Sequence, residues 1–222
     1  MEVIIELHNI NKTFNHSGFS QNVLENLNLQ IFKGQALAIR GKSGCGKSTL
    51  LNILAATQKA DSGKMLFNGH DMQAASNKQR AGYRKSTIGY IPQNLYLLED
   101  RNVFNNIALP LQYLKLSKAQ IKSSVNSLAY ELGIQSLLNK NINTLSGGEK
   151  QRAAICRAII KKPTILLADE PTGSLDDENE EIIMDIFRRL QKQGTTIIIA
   201  THDDAVSDKC DITYKLSKGH LE

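Results

Sequence analysis

One string limits this chain more than any other: Gly41-Lys42-Ser43-Gly44-Cys45-Gly46-Lys47-Ser48, followed by Thr49. It fits the spacing G-x-x-x-x-G-K-[ST]. The short apolar run Ala36–Arg40 ahead of it predicts a buried strand, and Leu50, Leu51, Ile53 and Leu54 behind it give one face of a helix. Glycines let the backbone curl so that successive N–H groups face an anion, and the helix adds its positive end. Lys47 supplies a cation for the β- and γ-phosphates. Ser48 offers a hydroxyl to Mg²⁺, an ion that keeps several of its waters. The string predicts a nucleoside triphosphate site contacted by Gly41 through Thr49, and it leaves open how the energy is used.

The remaining chain is read around that loop. Val3 to Ile10 alternate apolar and polar, as an exposed edge strand would, and Ile88–Ile91 predicts a strand stopped by Pro92. Thr164–Ala168 and Thr195–Ala200 are apolar and β-branched, as buried parallel strands are. Between them a helix carries Ile182, Ile183, Ile186 and Leu190 on one face. Alternating strands and helices predict an α/β fold with a mostly parallel sheet. Residues 94–157 change character, with Ile121, Val125, Leu128, Ala129 and Leu132 at helical spacing, and predict an inserted helical subdomain.

Bulk properties exclude several classes. With 222 residues and 41% apolar content, one large domain can bury a core. The net charge of +5 suits an anionic ligand or anionic lipid and is too small to argue for nucleic acid. Cys45, Cys156 and Cys210 are far apart and odd in number, against both a disulfide framework and a zinc site, and they fit a reducing compartment. No run reaches the roughly 20 apolar residues that span a bilayer, so membrane work requires a partner.

Ile165-Leu-Leu-Ala-Asp169-Glu170 is an apolar strand ending in two carboxylates. Asp169 at the strand tip suits Mg²⁺ through water. If extended geometry continues, Glu170 points to the other side, where it can polarise a water attacking the γ-phosphate. Leu145-Ser146-Gly147-Gly148-Glu-Lys-Gln-Arg152 reads as a compact turn opening a helix, with a hydroxyl, N–H groups and a helix dipole available to a phosphate.

That last string strongly resembles the signature motif of ABC ATPases, and it lies between the two nucleotide motifs as it does in that family. The resemblance runs from Leu7 to Gly219 and implies a single domain over residues 1–222. Its core and N-terminal antiparallel β-subdomain would occupy residues 1–93 and 158–222, and its helical subdomain residues 94–157. It also implies that two copies pack head to tail, so that Ser146, Gly147 and Gly148 of one cover the γ-phosphate of an ATP bound to the other. Gln93 resembles the glutamine that contacts Mg²⁺ and water, giving Ser48, Gln93 and Asp169 as the metal set. Asp176 resembles the aspartate that crosses between subunits, and His202 the histidine that contacts the γ-phosphate. Phe14 resembles the aromatic residue that stacks on adenine, although tyrosine is commoner there. Glu170, His202 and Gln93 would then do the chemistry, with ATP and Mg²⁺ as the cofactors.

Asn106-Ile-Ala-Leu-Pro-Leu111 and Pro171-Thr-Gly-Ser-Leu-Asp176 resemble one branch of the family. That branch serves macrolide efflux, lipoprotein release, antimicrobial-peptide export or resistance, and cell division. The resemblance implies an ATPase on the cytoplasmic face of the cell membrane, held there by a separately encoded permease and exporting a peptide, lipid-like or antibiotic-like substrate. A non-transporting mechanical ATPase of the cell-division type is the alternative. An ABC ATPase acting on nucleic acid or ribosomes lacks support, because no coiled coil or second ATPase domain is legible. A phosphate-loop kinase or GTPase would leave the signature string, Gln93 and His202 unexplained.

Overall fold

The computed structural model describes residues 2–16, 19–173 and 175–222. In chain order the elements begin with β1 (Val3–His16), β2 (Phe19–Phe32), β3 (Ala36–Arg40), α1 (Lys47–Leu54), β4 (Ser62–Phe67) and β5 (His70–Asp71). Next come α2 (Asn77–Ser86), β6 (Ile88–Ile91), α3 (Val103–Ala108), α4 (Lys118–Glu131) and α5 (Gly147–Ile159). The chain closes with β7 (Ile165–Asp169), α6 (Asp177–Lys192), β8 (Thr196–Thr201), α7 (Asp204–Ser207), β9 (Ile212–Ser217) and β10 (His220–Leu221).

A six-stranded sheet in the order β10-β9-β3-β8-β7-β6 forms the centre, parallel throughout except at the β10 edge. A separate antiparallel sheet runs β2-β1-β4-β5. The side-chain period of two divides the central strands between two cores. Ile165 and Leu167 of β7 and Ile198 and Ala200 of β8 face one core, together with the α1 leucines and the antiparallel sheet. Leu166, Ala168, Ile197 and Ile199 face the other, beneath α3 to α6. Both strands are buried on both faces, hence their unbroken apolar sequence.

Two expectations about these elements are corrected. The strand at Val3 to Ile10 is no edge: β1 lies between β2 and β4. Alternation reports which faces of a strand are buried and says nothing about its lateral neighbours. On α6, Ile183, Met184, Ile186 and Phe187 are buried, but Ile182 is 43% exposed. The apolar stripe is centred one residue further along the helix than the run of isoleucines suggests.

Short polar side chains start the helices. Ser76, Ser117 and Ser146 each form a reciprocal capping box with the residue three positions on, namely Gln79, Gln120 and Glu149. Asn106 of α3 is fully buried and holds the loop that leads from Gln93 into this helix. Its Oδ1 accepts from the Leu98 N–H at 2.7 Å, and its Nδ2 donates to the carbonyls of Leu98, Arg101 and Asn102 at 3.0–3.2 Å. Asn106→Leu keeps the branched shape, adds some bulk and strands these backbone groups. We expect a loss of about 2 kcal/mol of stability, read as a lower urea midpoint. An unchanged midpoint would show that the network contributes nothing net.

Candidate nucleotide site

Because β3, β6, β7 and β8 run parallel, their C-terminal ends deliver four segments to one edge of the sheet, where α/β folds place their ligands. After β3 the chain turns through Gly41–Gly46 into α1. Gly46 has φ 110°, and a Cβ there would lie 2.8 Å from Val23 Cγ1. A Cβ on Gly41 would lie 2.5 Å from Cys45 Sγ and 2.6 Å from the Leu216 carbonyl oxygen. Glycine is therefore a steric requirement at both positions. No side chain caps α1, so its first N–H groups are free to bind an anion.

Lys47, the first residue of α1, is 7% exposed. Its Nζ donates to the Gly41 carbonyl at 2.7 Å and lies 3.3 Å from Glu170 Oε1. The other carboxylate oxygen, Oε2, is 2.9 Å from His202 Nδ1. Glu170 is shielded while His202 is largely open, their side chains being 12% and 67% exposed. Three chain segments thus meet at one carboxylate.

Glu170 reaches this position by a route the sequence did not suggest. The strand ends at Asp169, and Glu170 has φ 49°, in the left-handed region, so extended geometry does not continue. Its N–H still donates to the Ala200 carbonyl at 2.8 Å. That bond extends the ladder with β8 while the chain turns.

Asp169 is 4% exposed, and its Oδ1 has no hydrogen-bond partner among the described residues. Burial holds its carboxyl above the ordinary range, opposed by the Ser48 hydroxyl bond, reinforced by the Glu170 charge and opposed again by Lys47. A buried carboxylate oxygen without a donor, beside a serine hydroxyl and Gln93, is chemistry that fits a hard divalent cation.

Ser43, Gly44, Gly46, Lys47, Ser48, Thr49, Gln93, Asp169 and Glu170 line one cleft. Lys42, Ser43, Gln93, Glu170 and His202 line its continuation, with Gln151 and Gly173. Cys45 lies half-buried in the loop, near Gly41. Phe14 does not line the cleft. It is half-buried on β1, with Lys12 Nζ 5.5 Å from its ring centre, and its strand partner Gln21 lines the cleft with Val23. Sequence reasoning missed Gln21 and Val23, which belong to no motif and arrive only through the folding of β2.

Ser146, Gly147 and Gly148 do not line the cleft either. Ser146 and Gly147 are exposed at the start of α5, and the Ser146 hydroxyl accepts from the Glu149 N–H at 3.3 Å. Asp176 is exposed and caps α6. Its Oδ1 accepts from the Asn179 N–H at 2.9 Å and from Asn179 Nδ2 at 2.7 Å, which holds its carboxyl below the ordinary range. Asn179 also accepts from Arg152 of α5, tying Asp176 to the signature helix.

No helix among the described residues is long and apolar enough to cross a membrane. Cys45, Cys156 and Cys210 form no disulfide.

The model of the "ABC transporter" family matches residues 24–173. The ATP-binding protein LolD of the lipoprotein-releasing system of Treponema denticola is 37% identical over 220 residues, covering 99% of this chain and 97% of that protein. The macrolide export ATP-binding/permease protein MacB of Campylobacter fetus is 38% identical over 98% of this chain, which corresponds to 34% of MacB. A dimeric structure of MJ0796, a bacterial ABC transporter cassette, superposes with a TM-score of 0.95 at 31% identity, covering 99% of this chain and 97% of that one. A post-hydrolysis state of the same cassette, bound to ADP and Pi, gives a TM-score of 0.94 at 30% identity. With the family match covering most of the chain and relatives aligned along nearly all of it, this chain belongs to the ABC transporter family, as an ATP-binding and ATP-hydrolysing subunit.

Proposed function

We propose that two copies of this chain close around two ATP molecules, hydrolyse them, and drive a separately encoded membrane subunit that exports a peptide, lipid-like or antibiotic-like substrate. One observation carries the shared-site reading. Lys47, Glu170, His202 and Asp169 converge on a cleft that Ser146, Gly147 and Gly148 of the same chain do not line. An exposed helix start with unused N–H groups then has its phosphate on a second copy. The dimeric cassettes of similar fold support this reading. The names of the LolD and MacB relatives, lipoprotein release and macrolide export with a permease, support the export class and work at a membrane. The cytoplasmic face of that membrane is part of the proposal.

Each residue has a role in the mechanism. Lys47 leaves the Gly41 carbonyl and pairs with the β- and γ-phosphates, while the loop amides and the start of α1 hold the remaining oxygens. Glu170, released from Lys47, accepts the proton of the water that attacks the γ-phosphorus in line, and the bond to the ADP oxygen breaks. His202 keeps Glu170 oriented and stabilises charge on the phosphoryl oxygens. Ser48, Asp169 and Gln93 would hold Mg²⁺, which supplies charge neutralisation at those oxygens when bound. Asp176 and the α5 start make the contacts to the second copy.

The test is Ser146→Arg, which places a long cation where the partner's phosphate would sit. The phosphate cleft itself is untouched, so the isolated chain should bind ATP with unchanged affinity by calorimetry. Hydrolysis should fall by roughly 10²-fold or more, the loss expected when one group of preorganised donors is removed. ATP hydrolysis at the parent rate would show that the signature acts elsewhere.

A further inference from the structure

One residue of the signature string turns into its own chain. Gln151 on α5 is 4% exposed. The other residues that α5 buries are alanines, isoleucines and Cys156, so Gln151 alone brings a side-chain amide into the interior. A buried amide costs free energy unless it is hydrogen-bonded, and an apolar side chain would dock the helix at lower cost. The bond that Gln151 makes is specific. Its Nε2 donates to the Pro171 carbonyl, one residue beyond Glu170, and no other hydrogen bond reaches that carbonyl among the described residues. Gln151 also lines the cleft with Gln93, Glu170 and His202.

Glu170 needs an anchor on that side. Its φ of 49° lies in the left-handed region, which is unfavourable for a residue with a Cβ. Pro171 follows, and a proline ring favours extended backbone in the residue before it. Such a conformation persists only where surrounding bonds over-determine it. Before the turn, the Glu170 N–H is fixed to the Ala200 carbonyl at 2.8 Å. After it, the Gly173 N–H returns to the Glu170 carbonyl only at a long 3.4 Å. Gln151 supplies the second firm anchor, and it does so from a helix, outside the turn itself. The side-chain contacts of Glu170 do not replace it, because Lys47 leaves for the phosphates when ATP binds. We propose that Gln151 is a positioning residue for the general base: by holding the Pro171 carbonyl it keeps the Glu170 carboxylate aimed at the attacking water. This rests on the reading of Glu170 as the base and adds the group that sets its place.

The experiment is a double-mutant cycle on phosphate release at saturating Mg-ATP, with Gln151→Met and Glu170→Gln made alone and together in the full chain. Methionine matches glutamine in length and lacks the donor. Gln151→Met should lower kcat roughly 10- to 100-fold, the loss expected when a reacting group is displaced by about 1 Å. Its Kd for ATP by calorimetry should equal the parent's, which also shows that the variant is folded. In the Glu170→Gln background the same substitution should cost nothing further, because no base remains to be positioned. A bond that merely docks α5 would be missed in both backgrounds. Equal losses in both, or parent-like turnover of Gln151→Met, would therefore overturn the proposal and leave Glu170 as the base. Parent-like turnover of Glu170→Gln would instead remove the base assignment, and the proposal with it. If Gln151→Met fails to bind ATP, Gln151→Asn runs the same cycle with the same expectations, because its amide stops one methylene short of Pro171.

Discussion

Glu170→Gln should lower ATP turnover by roughly 10²–10⁴-fold, the contribution of a positioned general base. The substitution keeps the side chain's size, so the site stays filled. It removes the one property the mechanism needs, a carboxylate that can take a proton from water. Glu170 is suited to this task because its oxygens are held by different partners, Lys47 at 3.3 Å and His202 at 2.9 Å. ATP binding should survive, since an amide beside Lys47 no longer competes with phosphate for that cation. Phosphate release at saturating Mg-ATP measures the effect. Turnover equal to that of the parent would place the base elsewhere.

Lys47→Ala should raise the Kd for ATP roughly 10- to 100-fold, because hydrogen bonds to charged groups are worth about 1.5–3 kcal/mol. Lys47 is 7% exposed and already desolvated, so little is lost in bringing its ammonium to a phosphate. Its removal leaves Glu170 with His202 as its only side-chain partner among the described residues and returns a negative charge to the cleft, which adds repulsion of ATP. Lys47→Arg should not restore affinity, because a planar guanidinium does not fit the curled loop that a single ammonium fills. Calorimetric titration separates these outcomes. Parent-like affinity for the alanine variant would mean that the loop amides and α1 carry the binding alone.

Physical periodicity explains which parts of the fold were legible in the sequence. β7 and β8 are buried on both faces, and such strands read as unbroken apolar runs. The loop from Gly41 to Ser48 was legible because its sterics admit few alternatives. Features decided by long-range contacts were not. β1 gained a neighbour on each side from segments with weak patterns of their own, β2 and β4. Ile182 carries an apolar side chain and still faces outward, because Met184 and Phe187 occupy the helix face that meets the sheet. The turn at Glu170 has no sequence signal, since a glutamate at φ 49° is tolerated only where surrounding bonds enforce it. In the nucleotide site the motif residues converge through strand ends, which chain order implies. Gln21 and Val23 come from an unrelated sheet, and no spacing rule reaches them.

The central claim is that each ATP is shared between two copies, and light scattering of the Glu170→Gln protein tests it most directly. With Mg-ATP the mass should double, and without nucleotide, or with Ser146→Arg added, it should remain that of one chain. A single-chain mass under all conditions, with ATP shown to be bound, would contradict the shared site.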